Sequence, residues 1–215
     1  MKTKYKFIIW DWNGTLYDDL DISFGAINDM LVKRNMPPLD IATFLSYIDT
    51  PISRFYEKAF DLSKETFEDL VGEYYAIYRE YAESLPVPAE LAETVRLLKN
   101  VGTCQVVVSG YEHAELLHLM KKWGVEGCFD SISGSGDRNA LPKTERVREM
   151  IKKHGFYEKD CVIVGDTDQE YNAAKALDID CIMVGWGHQP REYIRSFGCP
   201  IAENYASLKD LLLYE

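Results

Sequence analysis

Five short apolar runs recur along the chain, YKFIIW (5–10), CQVVVS (104–109), FDSIS (129–133), CVIVG (161–165) and CIMVG (181–185), and each gives out at Gly, Ser or Asp. Runs of this length, rich in Val and Ile and closed by turn residues, predict strands. Between the later ones apolar residues recur three and four apart: Leu91, Val95 and Leu98 in 89–100, Leu116, Leu119 and Met120 in 112–123, Val147, Met150 and Ile151 in 143–154. These spacings, with the alanine-rich stretch 168–177, predict helices. Strand and helix therefore alternate from residue 88 onward, and apolar strands in that rhythm imply a parallel sheet covered on both faces. Ligand chemistry in such a sheet gathers beyond the carboxyl ends of its strands.

The segment between the first strand and Pro86 breaks the rhythm. It carries helical patterning and no convincing strand, which makes it an all-helical insertion. Phe67, Leu70, Val71, Tyr74, Tyr75, Tyr78 and Tyr81 form an apolar and aromatic stripe in its last helix, the pattern of a face packed within a small bundle. The prolines of LPVP (85–88) then end the helix and mark the return to the sheet.

Charge sharpens this division. The 215 residues carry a net charge of -11, and residues 17–85 hold 14 acidic and 6 basic side chains, most of the imbalance. That sign opposes sequence-independent binding to nucleic acid or to an anionic membrane surface. The early run FIIW is too short for a signal-peptide core or a membrane span, so the cytoplasm is the expected location. Five cysteines without CxxC or His pairing fit reduced, mostly buried thiols better than disulfides or zinc.

Polar residues cluster at four of the strand ends: Asp11-Trp12-Asn13-Gly14-Thr15, Ser109-Gly110, Lys143 in LPKTERV, and Gly165-Asp166-Thr167-Asp168-Gln169-Glu170. Taken singly, Ser109 reads as a loop residue, Lys143 as a solvated lysine at a helix start and Asp166 as a helix cap. Together they supply what phosphoryl transfer through an aspartyl phosphate requires: a carboxylate nucleophile, a hard cation held by oxygens, and donors for the phosphate oxygens. Asp11 is the candidate nucleophile and a magnesium ligand, and Asp166 completes the carboxylate grip on the ion. Glu170, four residues later, lies on the same side of the first helical turn and could bind the ion through water. Lys143 would hold Asp11 and the phosphate by charge, while Ser109, Gly110 and neighbouring N–H groups would cradle the phosphate.

These residues, in this order, resemble the haloacid dehalogenase superfamily, and within it the phosphoglycolate phosphatase-like branch. DWNGT stands against the first motif, Asp-x-Asp-Gly-Thr in phosphatases, with Ser109 as the second, Lys143 the third and GDTDQE the fourth. The resemblance covers essentially the whole chain. It implies a Rossmann-like core of 1–16 and 86–215 with an all-helical cap, 17–85, inserted after the first motif. It also implies a cytoplasmic, magnesium-dependent phosphatase, monomeric or homodimeric, acting on a small phosphorylated metabolite.

Asn13 departs from the pattern. In the family's phosphatases the second aspartate protonates the leaving group and then activates water, while its backbone carbonyl binds magnesium. Asn13 keeps the carbonyl, but a carboxamide neither gives nor takes a proton near neutral pH. General acid–base help is typically worth about 10²- to 10⁴-fold. Three readings follow. The chain is a phosphatase working slowly, on good leaving groups, or with a deputy acid such as Asp168, Asp18 or Asp19. It is a phosphonatase- or dehalogenase-like hydrolase, the former needing a cap lysine, for which Lys33, Lys58 and Lys64 are available. Or it is a phosphate-ligand or protein-binding module that has lost turnover. Arg54 is the cap residue best suited to a second anionic group of the substrate, with Lys58 on the same helical face. Trp186 and His188 in GWGHQP, and His113, lie at the presumed active edge.

Overall fold

Phe7–Trp10 is wholly buried, every one of its four residues without exposed surface, because it is a strand with neighbours on both sides and helices on both faces. This is seen in a computed structural model, which describes residues 2–49, 51–136 and 142–214. In chain order the elements are β1 (Lys2–Thr3), β2 (Phe7–Trp10), α1 (Leu20–Lys33), α2 (Ile41–Tyr47), α3 (Ser53–Ala59), α4 (Phe67–Ser84) and α5 (Ala89–Asn100). Then follow β3 (Cys104–Glu112), α6 (His113–Lys122), β4 (Ser131–Ser135), α7 (Lys143–His154), β5 (Cys161–Gly165) and α8 (Asp168–Leu177). The chain finishes with β6 (Asp180–Val184), α9 (Arg191–Arg195), β7 (Ile201–Ala202), α10 (Tyr205–Leu212) and β8 (Leu213–Tyr214). Two compact units result. One takes the chain up to Asp18, Pro86–Gly187 and the chain from Arg191, and the other takes Asp19–Leu85 with His188–Pro190.

In the first unit the described residues form a six-stranded parallel sheet in the order β4-β3-β2-β5-β6-β7. The connections from β2 run to β3 and β4 on one side, and those from β5 run to β6 and β7 on the other. The direction of winding thus reverses between β2 and β5, and at such a switch point the strand ends leave a crevice. On one face Phe7, Ile9, Val108 and Ile163 pack against Val147 of α7 and Ala173 of α8. The mixed α/β class expected from the alternating pattern is the class observed.

Two strands differ from the sequence pattern. The run at 129–133 becomes β4 two residues later, because Asp130 is occupied otherwise: its N–H donates to the Gln105 carbonyl at 2.7 Å and its carboxylate accepts from Gln105 N–H at 2.9 Å. Ladder pairing begins only at Val106 and Ser131. β3 also runs beyond Ser109 to Glu112, through a shift of register.

The second unit is helical. Ile27, Met30, Phe44, Phe55, Tyr56 and Leu70 build its core. Asp40 and Thr66 cap α2 and α4 by accepting the N–H of Thr43 and Asp69. On α4 the aromatic stripe divides: Leu70 and Tyr78 are buried, while Tyr81 lies at the surface with its hydroxyl on Asp29. No helix of the described residues is long and apolar enough to cross a membrane.

Candidate active site

β2 and β5 end in aspartates on either side of the switch point. Asp11 N–H donates to the Val164 carbonyl at 2.9 Å, so the ladder runs one residue past β2 and sets the carboxylate at the strand end. Asp166 follows β5 directly; it is almost fully buried, and its Oδ1 accepts from the Thr15 hydroxyl at 3.1 Å. Thr15 N–H and Tyr17 N–H both donate to the Trp12 carbonyl, at 3.3 and 2.9 Å, and this folds the chain after Asp11 into a tight turn. Asn13 stands in that turn, half-buried and bridged to Tyr17. After β6, Gly187 presses its backbone on Asp166: a Cβ there would stand 2.2 Å from the Asp166 Cβ.

Lys143 opens α7, and its ammonium lies 2.5 Å from Asp11 Oδ1 while also pairing with Glu170. Glu170 is oriented by its own helix. Its carboxylate accepts from Thr167 N–H at 3.0 Å and from the Thr167 hydroxyl at 2.7 Å, in a capping box at the start of α8. Two buried carboxylates, Asp11 and Glu170, therefore share the Lys143 ammonium, and the buried Asp166 charge acts on Asp11 beside them. Burial pushes the Asp11 carboxyl up; Lys143 pulls it back, and the Glu170 and Asp166 charges add to the rise. Burial disfavours the Lys143 ammonium, but the Asp11 and Glu170 carboxylates outweigh it and hold its proton above the usual lysine range.

Ser109 is buried on β3, and its hydroxyl oxygen accepts Tyr111 N–H at 3.0 Å; Gly110 beside it is exposed. His113 has a local task, its Nδ1 accepting Gly134 N–H at 3.1 Å. Two residues take roles that the sequence reading did not assign, Thr15, named there only as part of the first motif, and Arg146, not named. Thr15 fixes Asp166, and Arg146 donates to the carbonyls of Ser109 and Gly134, each at 3.0 Å. Arg146 stands three residues after Lys143, one helical turn along the same face, and that spacing was the signal available for it.

The remaining candidates belong to the helical unit or to packing. Arg54 is exposed and pairs with Asp49 Oδ1 at 3.4 Å, and Lys58 pairs with the same carboxylate at 3.3 Å. Lys33 and Lys64 make surface pairs with Glu73 and Asp61. His188 Nε2 lies 3.4 Å from Asp19, a buried carboxylate that also accepts from the Tyr78 hydroxyl at 2.8 Å. Trp186 is a packing residue, stacked on Tyr205 with its indole N–H on the Thr15 carbonyl at 3.1 Å.

The chemistry of this donor set suits a hard divalent cation. Magnesium is held by one or two carboxylates and keeps several waters, rather than sitting in an all-protein cage. Asp11 and Asp166 could provide the two carboxylates, and the surplus of negative charge beside Lys143 is what a cation would neutralise. Among the described residues no group of three or more His, Cys, Asp or Glu is arranged as a metal cage. Glu170 is oriented beside this set, its Oε2 accepting from Thr167 and its Oε1 ion-paired with Lys143.

An aspartate, a lysine and a second carboxylate thus gather at the switch point of a Rossmann-like parallel sheet, where ligand chemistry concentrates in this class of fold. The chain belongs to the haloacid dehalogenase-like hydrolase family, whose model matches residues 8–184. A phosphoglycolate phosphatase of Haemophilus influenzae is 25% identical to it over 95% of this chain and 93% of its own length. Among solved structures, a haloacid dehalogenase-like hydrolase from Streptococcus pneumoniae superposes with a TM-score of 0.80 at 17% identity, covering 96% of this chain and 97% of its own. Protein Tyrosine Kinase A of Mycobacterium tuberculosis superposes with a TM-score of 0.75 at 18% identity, over 96% and 97%. These two solved structures share the fold, and reaction type must be argued from the site.

Proposed function

We propose that the protein is a magnesium-dependent cytoplasmic phosphatase that hydrolyses a small phosphorylated metabolite through an aspartyl phosphate on Asp11. The observation that carries this reading is the buried contact of Lys143 with both Asp11 and Glu170 beside Asp166. An ammonium so placed offsets part of the burial cost of the nucleophile's charge and offers charge to an incoming phosphate. The names of the relatives similar to this chain, phosphoglycolate phosphatases among them, support the same class.

Asp11 attacks phosphorus, the bond to the leaving oxygen breaks, and the phosphoryl group passes to the carboxylate. Lys143 stabilises both the carboxylate and the transferring group. Ser109 accepts Tyr111 N–H through its oxygen and has its hydroxyl proton for a phosphate oxygen. Asp11, Asp166 and the Asn13 carbonyl would hold magnesium, with Glu170 acting through water; the ion supplies charge that offsets repulsion between carboxylate and phosphate. The helical unit would serve as the substrate-selecting cap, with Arg54 for a second anionic group. Asn13 supplies no proton, so the favoured substrates are those with good leaving groups, such as acyl or aryl phosphates, and water attack on the aspartyl phosphate becomes the slow step.

Asn13 also favours a second reading, a binding protein of the same fold without turnover. Acid-quenched mass spectrometry with an aryl phosphate and magnesium separates the two. The expected result is a burst with phosphate on Asp11. Asn13→Asp is expected to raise steady turnover by roughly 10²- to 10⁴-fold and to remove the accumulation, while Asp11→Asn shows neither adduct nor turnover. Turnover that survives Asp11→Asn unchanged would rule the mechanism out, and no adduct with any phosphate tried would leave the binding protein. The phosphonatase alternative draws no support from Lys33, Lys58 or Lys64, each exposed and in an ion pair.

A further inference from the structure

The β3–β4 ladder is interrupted at the phosphate-binding turn. Val106, Val107 and Val108 pair with Ser131, Ile132 and Ser133, and pairing resumes only at Glu112 and Ser135. Three residues of β3, Ser109, Gly110 and Tyr111, therefore stand opposite one residue of β4, Gly134. A bulge of this kind leaves backbone groups without ladder partners, and buried carbonyls need donors from elsewhere. The two strands nevertheless stay pressed together: a Cβ on Gly134 would lie 2.5 Å from His113 Cα and 2.8 Å from the Tyr111 carbonyl oxygen.

Arg146 supplies the donors. Its Nη1 donates to the Ser109 carbonyl at 3.0 Å, and its Nη2 donates to the Gly134 carbonyl at 3.0 Å, to the Ser133 hydroxyl at 2.8 Å and to the Ser133 carbonyl. Nε donates to the same hydroxyl at 3.2 Å. A planar guanidinium can span two strands in this way because its five N–H groups form a rigid fork; an ammonium is a point donor and cannot. We infer that Arg146 is a positioning residue for the phosphate-binding turn, holding the Ser109 backbone, and with it the hydroxyl and the Gly110 N–H, by carrying the hydrogen bonds that the β3–β4 ladder loses there. α7 then contributes two cations from successive turns with separate tasks, Lys143 at the carboxylates and Arg146 at the carbonyl collar around Ser109.

This inference rests on the phosphatase reading, and the test separates the two. Binding of orthovanadate and of inorganic phosphate, each with magnesium, is measured by titration calorimetry on the whole chain, with thermal unfolding and steady-state kinetics alongside. Arg146→Lys is expected to weaken both anions, and to raise KM for an aryl phosphate, by on the order of ten- to a hundredfold, since small misplacements of a binding group cost that much. Ser133→Ala removes one acceptor and spares the carbonyls, and is expected to move the same constants in the same direction by a smaller factor. Arg148→Ala, on the same helix but exposed and paired with Glu145, is expected to change none of them. If Arg146→Lys lowers the unfolding temperature while the folded protein binds both anions as the wild type does, Arg146 only supports the sheet and the inference fails, with the site reading intact. If the wild type itself binds neither anion, the reading of the site fails and the inference with it.

Discussion

Each unit contains a cluster of charged side chains, and the two are built on different balances. In the helical unit, Arg34 at the end of α1 donates to Glu65 and to Glu73, both at 2.5 Å, and to the Met30 carbonyl at 2.8 Å, while Lys33 takes the other Glu73 oxygen at 2.7 Å. Two cations meet two carboxylates, partly in solvent. In the sheet unit, among the described residues, the Lys143 ammonium pairs with two buried carboxylates, Asp11 and Glu170, and the charge of a third, Asp166, bears on Asp11. Arg34 holds Glu73 below the usual carboxylate range, whereas burial pushes Asp11 above it. A balanced cluster is complete as it stands and ties helices together. An unbalanced buried one keeps its electrostatic cost until a cation joins it, and that difference separates a structural clasp from a candidate ion site.

The largest difference is expected on removing the single cation of the sheet cluster. Lys143→Met leaves Asp11 and Glu170 buried without their ammonium, and breaking a buried pair in that way costs about 3 to 5 kcal/mol. Urea unfolding of metal-free protein at pH 7.5 measures it; a loss below about 1 kcal/mol, the range of an exposed pair, would mean that the cluster is far better solvated than its burial says.

A cation added to the unbalanced cluster should have the opposite effect, of intermediate size. Magnesium at a hundred times its dissociation constant is expected to stabilise the wild type by about 2.7 kcal/mol, the mass-action value for a ligand that binds only the folded state. Asp166→Asn should abolish that gain and Arg34→Met should leave it whole. An equal gain from sodium chloride at matched ionic strength would show general screening, not a site.

How much of this contrast the sequence revealed depends on distance along the chain. The helices 89–100, 143–154 and 168–177 fall where apolar spacing puts them, because their pattern is local and their burial one-sided. β1, β7 and β8 have two residues each, too short for any period to register. Within the candidate site, Asp11, Lys143 and Asp166 stand out because each follows a strand or opens a helix, and Ser109 because an apolar run gives out there, although β3 itself runs on to Glu112. The roles of Arg146 and Thr15 needed the structure, since their partners stand 37 and 151 residues away, although Thr15 lies in the first motif and Arg146 one helical turn after Lys143. The Glu170 carboxylate illustrates the middle case: its place on the first turn of α8 follows from sequence, but its engagement by Thr167 and Lys143 needed the structure.

The smallest expected effect lies in the balanced cluster, and there pH supplies the check. Glu73 is held below its usual value of 4.5 first by the Arg34 hydrogen bond and then, against some burial, by Lys33. A carboxyl depressed on folding contributes stability above its unfolded pKa and loses it as pH falls through the folded value. Arg34→Met should therefore cost roughly 1 kcal/mol at pH 7, where two partly solvated pairs are lost, and the difference from wild type should shrink steadily below about pH 4.5 as the carboxyls protonate in both proteins. Urea unfolding from pH 7 to pH 3 measures it. A cost that stays constant over that range would assign the stabilising role of Arg34 to its packing over the Phe60 ring, 5.4 Å away, and to the Met30 carbonyl. The helical cluster would then be no electrostatic clasp, and its contrast with the sheet cluster would rest on burial alone.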